Sequence, residues 1–174
     1  YQFMPKNGYT SMFNKMLRNK NIDIILNTDY KSILTDVKFD KMIYTGPVDS
    51  FFDYESGRLP YISLRFDYEH YEMETYQKAA QINYVDSDVN FTRIVEYKKL
   101  TGQVAGTTTI SREYSITEGE PYYPIPTESN HALFLKYQRK VERLKNIKFC
   151  GRLAEYQYYN MDQVVAKVLS DSLL

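Results

Sequence analysis

The residues best suited to chemistry lie in three short stretches. The first is Gly151-Arg152-Leu153-Ala154-Glu155-Tyr156-Gln157-Tyr158-Tyr159-Asn160-Met161-Asp162. It reads as a strand ending in Gly-Arg, a loop with three tyrosines, and the start of a helix. A helix start presents unpaired N–H groups and the positive end of a dipole, which suit a phosphate or an electron-rich ring edge. The planar fork of Arg152 suits a diphosphate. Taken alone, however, a Gly-Arg turn more simply reads as a plain strand-to-helix turn with Arg152 in a structural ion pair. The second stretch sets Asn83 beside Asn90-Phe91-Thr92-Arg93. An arginine in a strand can neutralise an anion on an exposed sheet face. It can equally form a cross-strand pair with Glu96 or Glu113, worth under about 1 kcal/mol if exposed, and spacing alone favours the pair. The third is Ser111-Arg112-Glu113-Tyr114, followed by Glu120-Pro121-Tyr122-Tyr123-Pro124. Two prolines hold the tyrosine pair extended. Such a stiff segment either presents a phenol to a ligand or is a connector whose tyrosines cover a sheet edge.

Other reactive side chains carry less. Cys150 sits in an apolar run with no neighbouring histidine, so it reads as a buried structural thiol. His70 and His131 are isolated, and with one cysteine they leave no zinc spacing and no metal site. No serine-triad spacing stands out.

The elements that must position these residues fall into three segments. Tyr9, Met12, Phe13, Met16 and Leu17 lie on one helical stripe. After the apolar run Ile22 to Leu26, short strands are expected over Ile33–Val37 and Met42–Thr45, the second ended by Gly46-Pro47. Next, Ile62, Leu64, Phe66 and Tyr68 alternate with Ser63, Arg65 and Asp67, the period of a half-buried strand. Further strands are expected over 79–84, 91–97 and 107–116. Consecutive strands without helices between them suggest an antiparallel sheet with a polar, aromatic exposed face. Finally, Leu133, Phe134, Tyr137, Val141 and Leu144 mark a helix, Ile147 to Cys150 a strand, and Met161, Val164, Val165, Val168 and Leu169 a second helix with Asn160 as its N-cap.

The predicted fold class is therefore mixed α/β and α+β: an α/β layer at both ends, with an antiparallel sheet inserted between. The expected domains are 1–50, 51–125 and 126–174. The 7 glycines never occur one residue apart, so no G-x-G-x-x-G fingerprint is possible. If the layer grips a dinucleotide, its phosphate-binding half must precede Tyr1. The opening Tyr1-Gln2-Phe3-Met4-Pro5 has no signal-peptide features and reads as a chain entered in the middle.

Composition narrows the function. Lys+Arg and Asp+Glu are both 22, a balance that argues against a nucleic-acid footprint. No apolar run approaches the roughly 20 residues of a membrane helix. The single cysteine fits a reducing compartment, and the expected location is cytoplasmic. There are 18 tyrosines and no tryptophan. A phenol joins a flat apolar body to a hydroxyl, which suits sugar, base and phosphate contacts. A wet, aromatic-rich antiparallel sheet accounts for the same composition.

Taken together, the motifs Pro5-Lys6-Asn7-Gly8-Tyr9-Thr10, Tyr44-Thr45-Gly46-Pro47-Val48-Asp49, Gly57-Arg58-Leu59, Asn83-Tyr84, Thr92-Arg93-Ile94, Arg112-Glu113-Tyr114, Pro121-Tyr122-Tyr123-Pro124 and Gly151-Arg152-Leu153 through Tyr158 resemble, in order, the C-terminal part of the UDP-galactopyranose mutase family. The resemblance implies a Rossmann-like FAD layer with an inserted substrate sheet. It implies an isomerase that interconverts UDP-galactopyranose and UDP-galactofuranose without net redox change. Reduced flavin attacks the anomeric carbon through N5, a flavin–sugar adduct forms, and UDP leaves and returns. The departing diphosphate gains charge and must be held near the flavin.

Carried onto this sequence, Arg93 is similar to the family's diphosphate-binding arginine on the sheet. Tyr123 is similar to a substrate-contacting phenol, and Tyr158 to the tyrosine that bonds the diphosphate, so Arg93, Tyr123 and Tyr158 are the expected catalytic set. Tyr1, Asn83 and Glu113 complete the expected substrate site. Gly151, Arg152, Asn160 and Met161 are the expected FAD contacts. Two departures stand out: Asn160 replaces a frequent aspartate, and Ile62 stands where many members carry a second arginine. A chain lacking the FAD fingerprint is expected to be inactive alone, and it could form a homodimer. The rival readings are a non-catalytic, tyrosine-rich sheet module that binds a nucleotide sugar or a protein, and an amine-oxidase-like flavoprotein.

Overall fold

A computed structural model of the chain describes residues 4–170. In order, its elements are α1 (Gly8–Met16), α2 (Tyr30–Ile33), β1 (Met42–Tyr44), α3 (Val48–Phe51), β2 (Tyr61–Tyr71), β3 (Gln81–Asn83), β4 (Arg93–Glu96), α4 (Tyr97–Thr101), β5 (Thr108–Ile116), β6 (Tyr123–Pro124), α5 (Glu128–Val141), β7 (Ile147–Phe149) and α6 (Met161–Ser170). The fold is mixed: antiparallel strands through the middle of the chain and a small parallel pair, β1 with β7. Among the described residues no helix is long and apolar enough to cross a membrane.

The chain divides into two compact units, Tyr1–Leu34 with Arg65–Ser115, and Thr35–Leu64 with Ile116–Leu174. In the first unit, β3, β4 and β5 form an antiparallel ladder, with β2 beyond β5. Ile94, Val95 and Ile110 are buried there beside a charged residue, Glu96, which has no exposed surface. A carboxylate can persist in such a place only if its oxygens are bonded. Here it accepts the backbone N–H groups of Tyr76 and Gln77 at 3.0 and 3.1 Å and the Thr108 hydroxyl at 2.8 Å, with Lys99 Nζ 3.4 Å away. Burial pushes this carboxyl up, but those bonds outweigh it and hold it below the ordinary carboxylate range. Glu96 thus fastens the connection between β2 and β3 to the middle of the sheet.

The second unit centres on Val48, Leu59, Tyr137 and Tyr156, with Phe52, Tyr61, Leu133, Phe134, Val141 and Phe149 packed around them. Burying each of these aromatic side chains contributes about 2–3 kcal/mol of apolar transfer energy. The phenols also hold irregular backbone. Tyr137 donates to the Gly57 carbonyl at 2.6 Å and accepts the Ser56 N–H. Tyr156 donates to the Pro60 carbonyl at 2.6 Å and accepts the Ile125 N–H. Asp49 is buried as well, and its carboxylate accepts the Leu59 and Ser50 N–H groups. The parallel strands β1 and β7 pair Met42 with Ile147 and Tyr44 with Phe149. After β1, Gly46 is required by close approach, since a Cβ would lie 2.6 Å from the Tyr44 hydroxyl oxygen.

Several expectations are corrected. Ile33–Val37 is not a strand: Asp29 accepts the Lys31 N–H at 2.8 Å and starts the one-turn helix α2. The strand expected over 91–97 stops at Glu96, and α4 follows, closed by Gly102 in the left-handed region at φ +70. Helices are therefore not excluded from the middle of the chain. The strand expected from the alternation forms as β2, but its burial does not follow the expected pattern. Ser63 is buried and Tyr68 is 65% exposed. Not every tyrosine lies on a wet sheet face, since Tyr137 and Tyr156 are core.

Glu96 makes a pH prediction. The unfolded chain protonates this carboxyl near 4.5 and the folded chain only at lower pH. Between those values the unfolded state binds more protons, so the contribution of Glu96 is complete above pH 4.5 and disappears as pH falls through the folded value. In urea unfolding, Glu96→Gln is expected to lower stability at pH 7 by about 1–3 kcal/mol. It is also expected to flatten the loss of stability as pH falls below 4.5, relative to the parent chain. An unaltered acid profile would mean that other carboxylates set the acid sensitivity.

Candidate functional site

Strand register builds the first cluster. Asn83 lies directly opposite Arg93, and Arg93 directly opposite Glu113. Side chains opposite one another on neighbouring strands share a face, so the three form one row across β3, β4 and β5. The row is bonded through its middle: Arg93 Nε donates to Asn83 Oδ1 at 2.9 Å, and Arg93 Nη1 is 3.4 Å from Glu113 Oε2. The bracing fixes the guanidinium while a third of the Arg93 side chain stays exposed. Burial raises the Glu113 carboxyl above its ordinary range, and the Arg93 charge acts against that rise. Glu96, three residues from Arg93, projects from the opposite face, so of the two acids weighed from sequence only Glu113 pairs with Arg93.

The second cluster, within the second unit, is built on the Gly-Arg turn after β7. Gly151 takes φ +96, a conformation that favours glycine. Tyr156 takes φ +46 and folds the chain back so that its own ring enters the core. Arg152 is held by carbonyls instead of the expected ion pair. Nε and Nη2 donate to the Tyr159 carbonyl at 3.1 and 2.5 Å, and Nη1 donates to the Tyr122 carbonyl at 3.3 Å. Its guanidinium carbon is 5.0 Å from the Tyr123 ring centre and 4.6 Å from that of Tyr158. Those two rings stack on each other, 5.8 Å apart and 21° from parallel. Tyr123 reaches this place through β6, whose two residues pair with the start of β2.

That pairing sets Ile62 directly opposite Tyr123. Asn160 precedes α6, but its side chain does not cap the helix: Asn160 Oδ1 accepts the Tyr158 hydroxyl at 3.1 Å. Gln163 Oε1 instead takes the Asn160 N–H at 2.8 Å. Met161 opens α6 and is 61% exposed.

The sequence model described as UDP-galactopyranose mutase matches residues 1–158. The chain belongs to that family. It is 38% identical to the UDP-galactopyranose mutase of Mycoplasma genitalium, over 94% of this chain and 45% of that protein. The probable UDP-galactopyranose mutase of Klebsiella pneumoniae is also 38% identical, over 97% of this chain and 44% of its own length. The dTDP-fucopyranose mutase of Escherichia coli is 32% identical, over 97% and 47%. The chain therefore spans less than half the length of these curated relatives.

Within this mutase-family chain, two groups of expected residues assemble: Asn83, Arg93 and Glu113 in one unit, and Tyr123, Arg152 and Tyr158 in the other. Tyr1 lies outside the described residues. Two residues went unnoticed in sequence. Glu155 Oε2 accepts the Gly151 N–H at 2.9 Å, and Lys167 Nζ lies 2.5 Å from Glu155 Oε1. A glutamate four residues after the glycine is a faint signal, and nothing in sequence ties it to Lys167.

The row predicts a titration. Because Arg93 pulls the Glu113 carboxyl down against burial, Arg93→Met should raise the Glu113 pKa further. Carboxyl-carbon NMR titration of the folded chain reads this directly. An unmoved Glu113 resonance would show that the two side chains are not paired in solution.

Proposed function

We propose that this chain supplies its portion of a UDP-galactopyranose mutase, an isomerase that exchanges the pyranose and furanose forms of UDP-galactose without net redox change. The observation that carries the reading is the braced row Asn83–Arg93–Glu113. When UDP leaves the sugar, negative charge builds on the diphosphate. A cation already fixed in place stabilises that charge without reorganising. Arg93 has such bracing and keeps its Nη2 donors for an anion. Asn83 and Glu113 orient it, while the partly buried Glu113 limits how far the arginine can swing.

Tyr123 and Tyr158 supply a phenol pair for the nucleotide sugar, ordered by Arg152. In this reading residues 51–125 carry the substrate-holding sheet, while 1–50 and 126–174 belong to a Rossmann-like FAD layer. The Gly-Arg turn is the place to ask whether FAD suits the residues present. The Gly151 N–H is committed to Glu155, but three carbonyl bonds use only part of the five-donor Arg152 fork. One N–H on each terminal nitrogen remains, a pair that fits an oxyanion or the oxygen-bearing edge of a flavin. Arg152, Asn160 and Met161 would hold the cofactor. Reduced flavin, when bound, supplies the N5 nucleophile for the anomeric carbon, and this chain's residues bind and orient the sugar nucleotide.

The relative named for dTDP-fucopyranose favours one second reading, in which another nucleoside-diphosphate hexose takes the place of UDP-galactose.

Calorimetry on the 174-residue chain tests both. UDP is expected to bind, and Arg93→Ala to weaken it by about 10- to 100-fold, the loss of one or two charge-assisted bonds. The chain alone is expected to show neither flavin absorbance nor turnover. Tighter binding of dTDP than of UDP would move the substrate to the second reading. UDP affinity unchanged by Arg93→Ala would remove the row from the site.

A further inference from the structure

We propose that Glu155 and Lys167 are positioning residues for the phenol pair, acting through the Gly-Arg turn. Two routes lead from Lys167 to Arg152. In the first, Lys167 Nζ pairs with Glu155 Oε1 at 2.5 Å, and Glu155 Oε2 accepts the Gly151 N–H at 2.9 Å. The Glu155 N–H in turn donates to the Gly151 carbonyl, and the Gln157 N–H to the Arg152 carbonyl. The backbone carrying Arg152 is thus closed into a bonded loop whose outer carboxylate is fastened to α6. In the second route, Lys167 Nζ lies 3.5 Å from the Tyr159 hydroxyl and 5.7 Å from the centre of its ring. The carbonyl of that same Tyr159 accepts both Nε and Nη2 of Arg152.

Both routes converge on one guanidinium, and it is the group that touches the Tyr123 and Tyr158 rings. Tyr158 is 54% exposed and so has little packing of its own to fix it. Its pose depends on Arg152, on the stack with Tyr123 and on the hydroxyl bond to Asn160. Glu155 is well covered and Lys167 partly so, with 17% and 33% of their side chains exposed, so salt screens the pair less than an open surface bridge. The bond to Glu155 also pushes the Lys167 ammonium above its usual range.

A merely structural pair would tether α6 and nothing more. A positioning pair also sets the Tyr123–Tyr158 geometry. The purpose assigned to that geometry rests on the mutase reading, but the geometry itself does not. The experiment therefore has two arms, run on the 174-residue chain with Glu155→Gln, Lys167→Met and the conservative Lys167→Arg.

The first arm measures nuclear Overhauser contacts between the Tyr123 and Tyr158 rings. They are expected in the parent chain and in Lys167→Arg, and lost in Glu155→Gln and Lys167→Met while the far-ultraviolet circular dichroism of the helices is kept. The second arm measures UDP affinity, expected to fall by about tenfold in the two disrupting variants, as one charge-assisted bond is worth, and to recover in Lys167→Arg. Ring contacts that persist in both folded disrupting variants would overturn the proposal. If Lys167→Met fails to fold, Glu155→Gln, which keeps the side-chain volume, decides the matter. Absence of UDP binding by the parent chain would instead overturn the mutase reading and leave the ring contacts to judge the positioning role.

Discussion

The buried hydroxyl of Tyr156 is the contact on which the second unit turns. One phenol oxygen serves three backbone groups, donating toward the Pro60 and Ile125 carbonyls and accepting the Ile125 N–H. Its ring meets Tyr61 edge-on and stacks on Phe134 of α5. Three segments distant in sequence are thereby tied at one atom: the entry to β2, the exit from β6 and the Gly-Arg turn. To put the phenol there, the chain takes a left-handed conformation at Tyr156, which costs about 1–2 kcal/mol for a residue with a Cβ. Buried apolar area and satisfied polar atoms offset that strain.

Once Tyr156 is in place, the site residues nearby follow. The exit from β6 brings the Tyr122 carbonyl and the Tyr123 ring to Arg152, and the turn brings Tyr158 and the Tyr159 carbonyl. A guanidinium gripped by carbonyls keeps its full charge, because no carboxylate neutralises it locally. It can order two aromatic faces and still attract an anion. The first unit solves the same problem differently. Arg93 is braced by a neutral amide on one side and a partly buried acid on the other, so its charge is only partly met. Across the sheet, the Glu96 carboxylate is met by two backbone N–H groups, the Thr108 hydroxyl and Lys99.

Much of this was legible in the residues themselves. The helices marked by Tyr9 to Leu17 and Leu133 to Leu144, the strand after Tyr61 and the short run Ile147 to Phe149 all formed, although in β2 Ser63 is buried and Tyr68 exposed against the alternation. The run Ile33 to Val37 misled because five apolar-rich residues cannot distinguish a strand from a helical turn, and the deciding signal, Asp29, lay just before it. The row Asn83–Arg93–Glu113 was half visible. Its members were singled out and the Arg93–Glu113 pair was weighed, but a three-strand register depends on loop lengths that no local pattern states. Arg152 was singled out, but the ion pair weighed for it gives way to bonds with the Tyr122 and Tyr159 carbonyls. A carboxylate can be looked for in a sequence, whereas a carbonyl belongs to every residue and leaves no mark. Lys167 and Glu155 stayed hidden for a similar cause, since their meeting depends on how α6 returns over the turn.

The tyrosine excess also has a consequence for how this chain can change. Where a phenol oxygen secures a turn, as at Tyr137 and Tyr156, replacing the ring by phenylalanine preserves shape and greasiness yet orphans a carbonyl. At Tyr68, largely open to solvent, the same exchange removes a hydroxyl beside the Tyr97 phenol that water can replace. Drift among descendants of this sequence should accordingly bleach hydroxyls from the rim while sparing those two interior anchors.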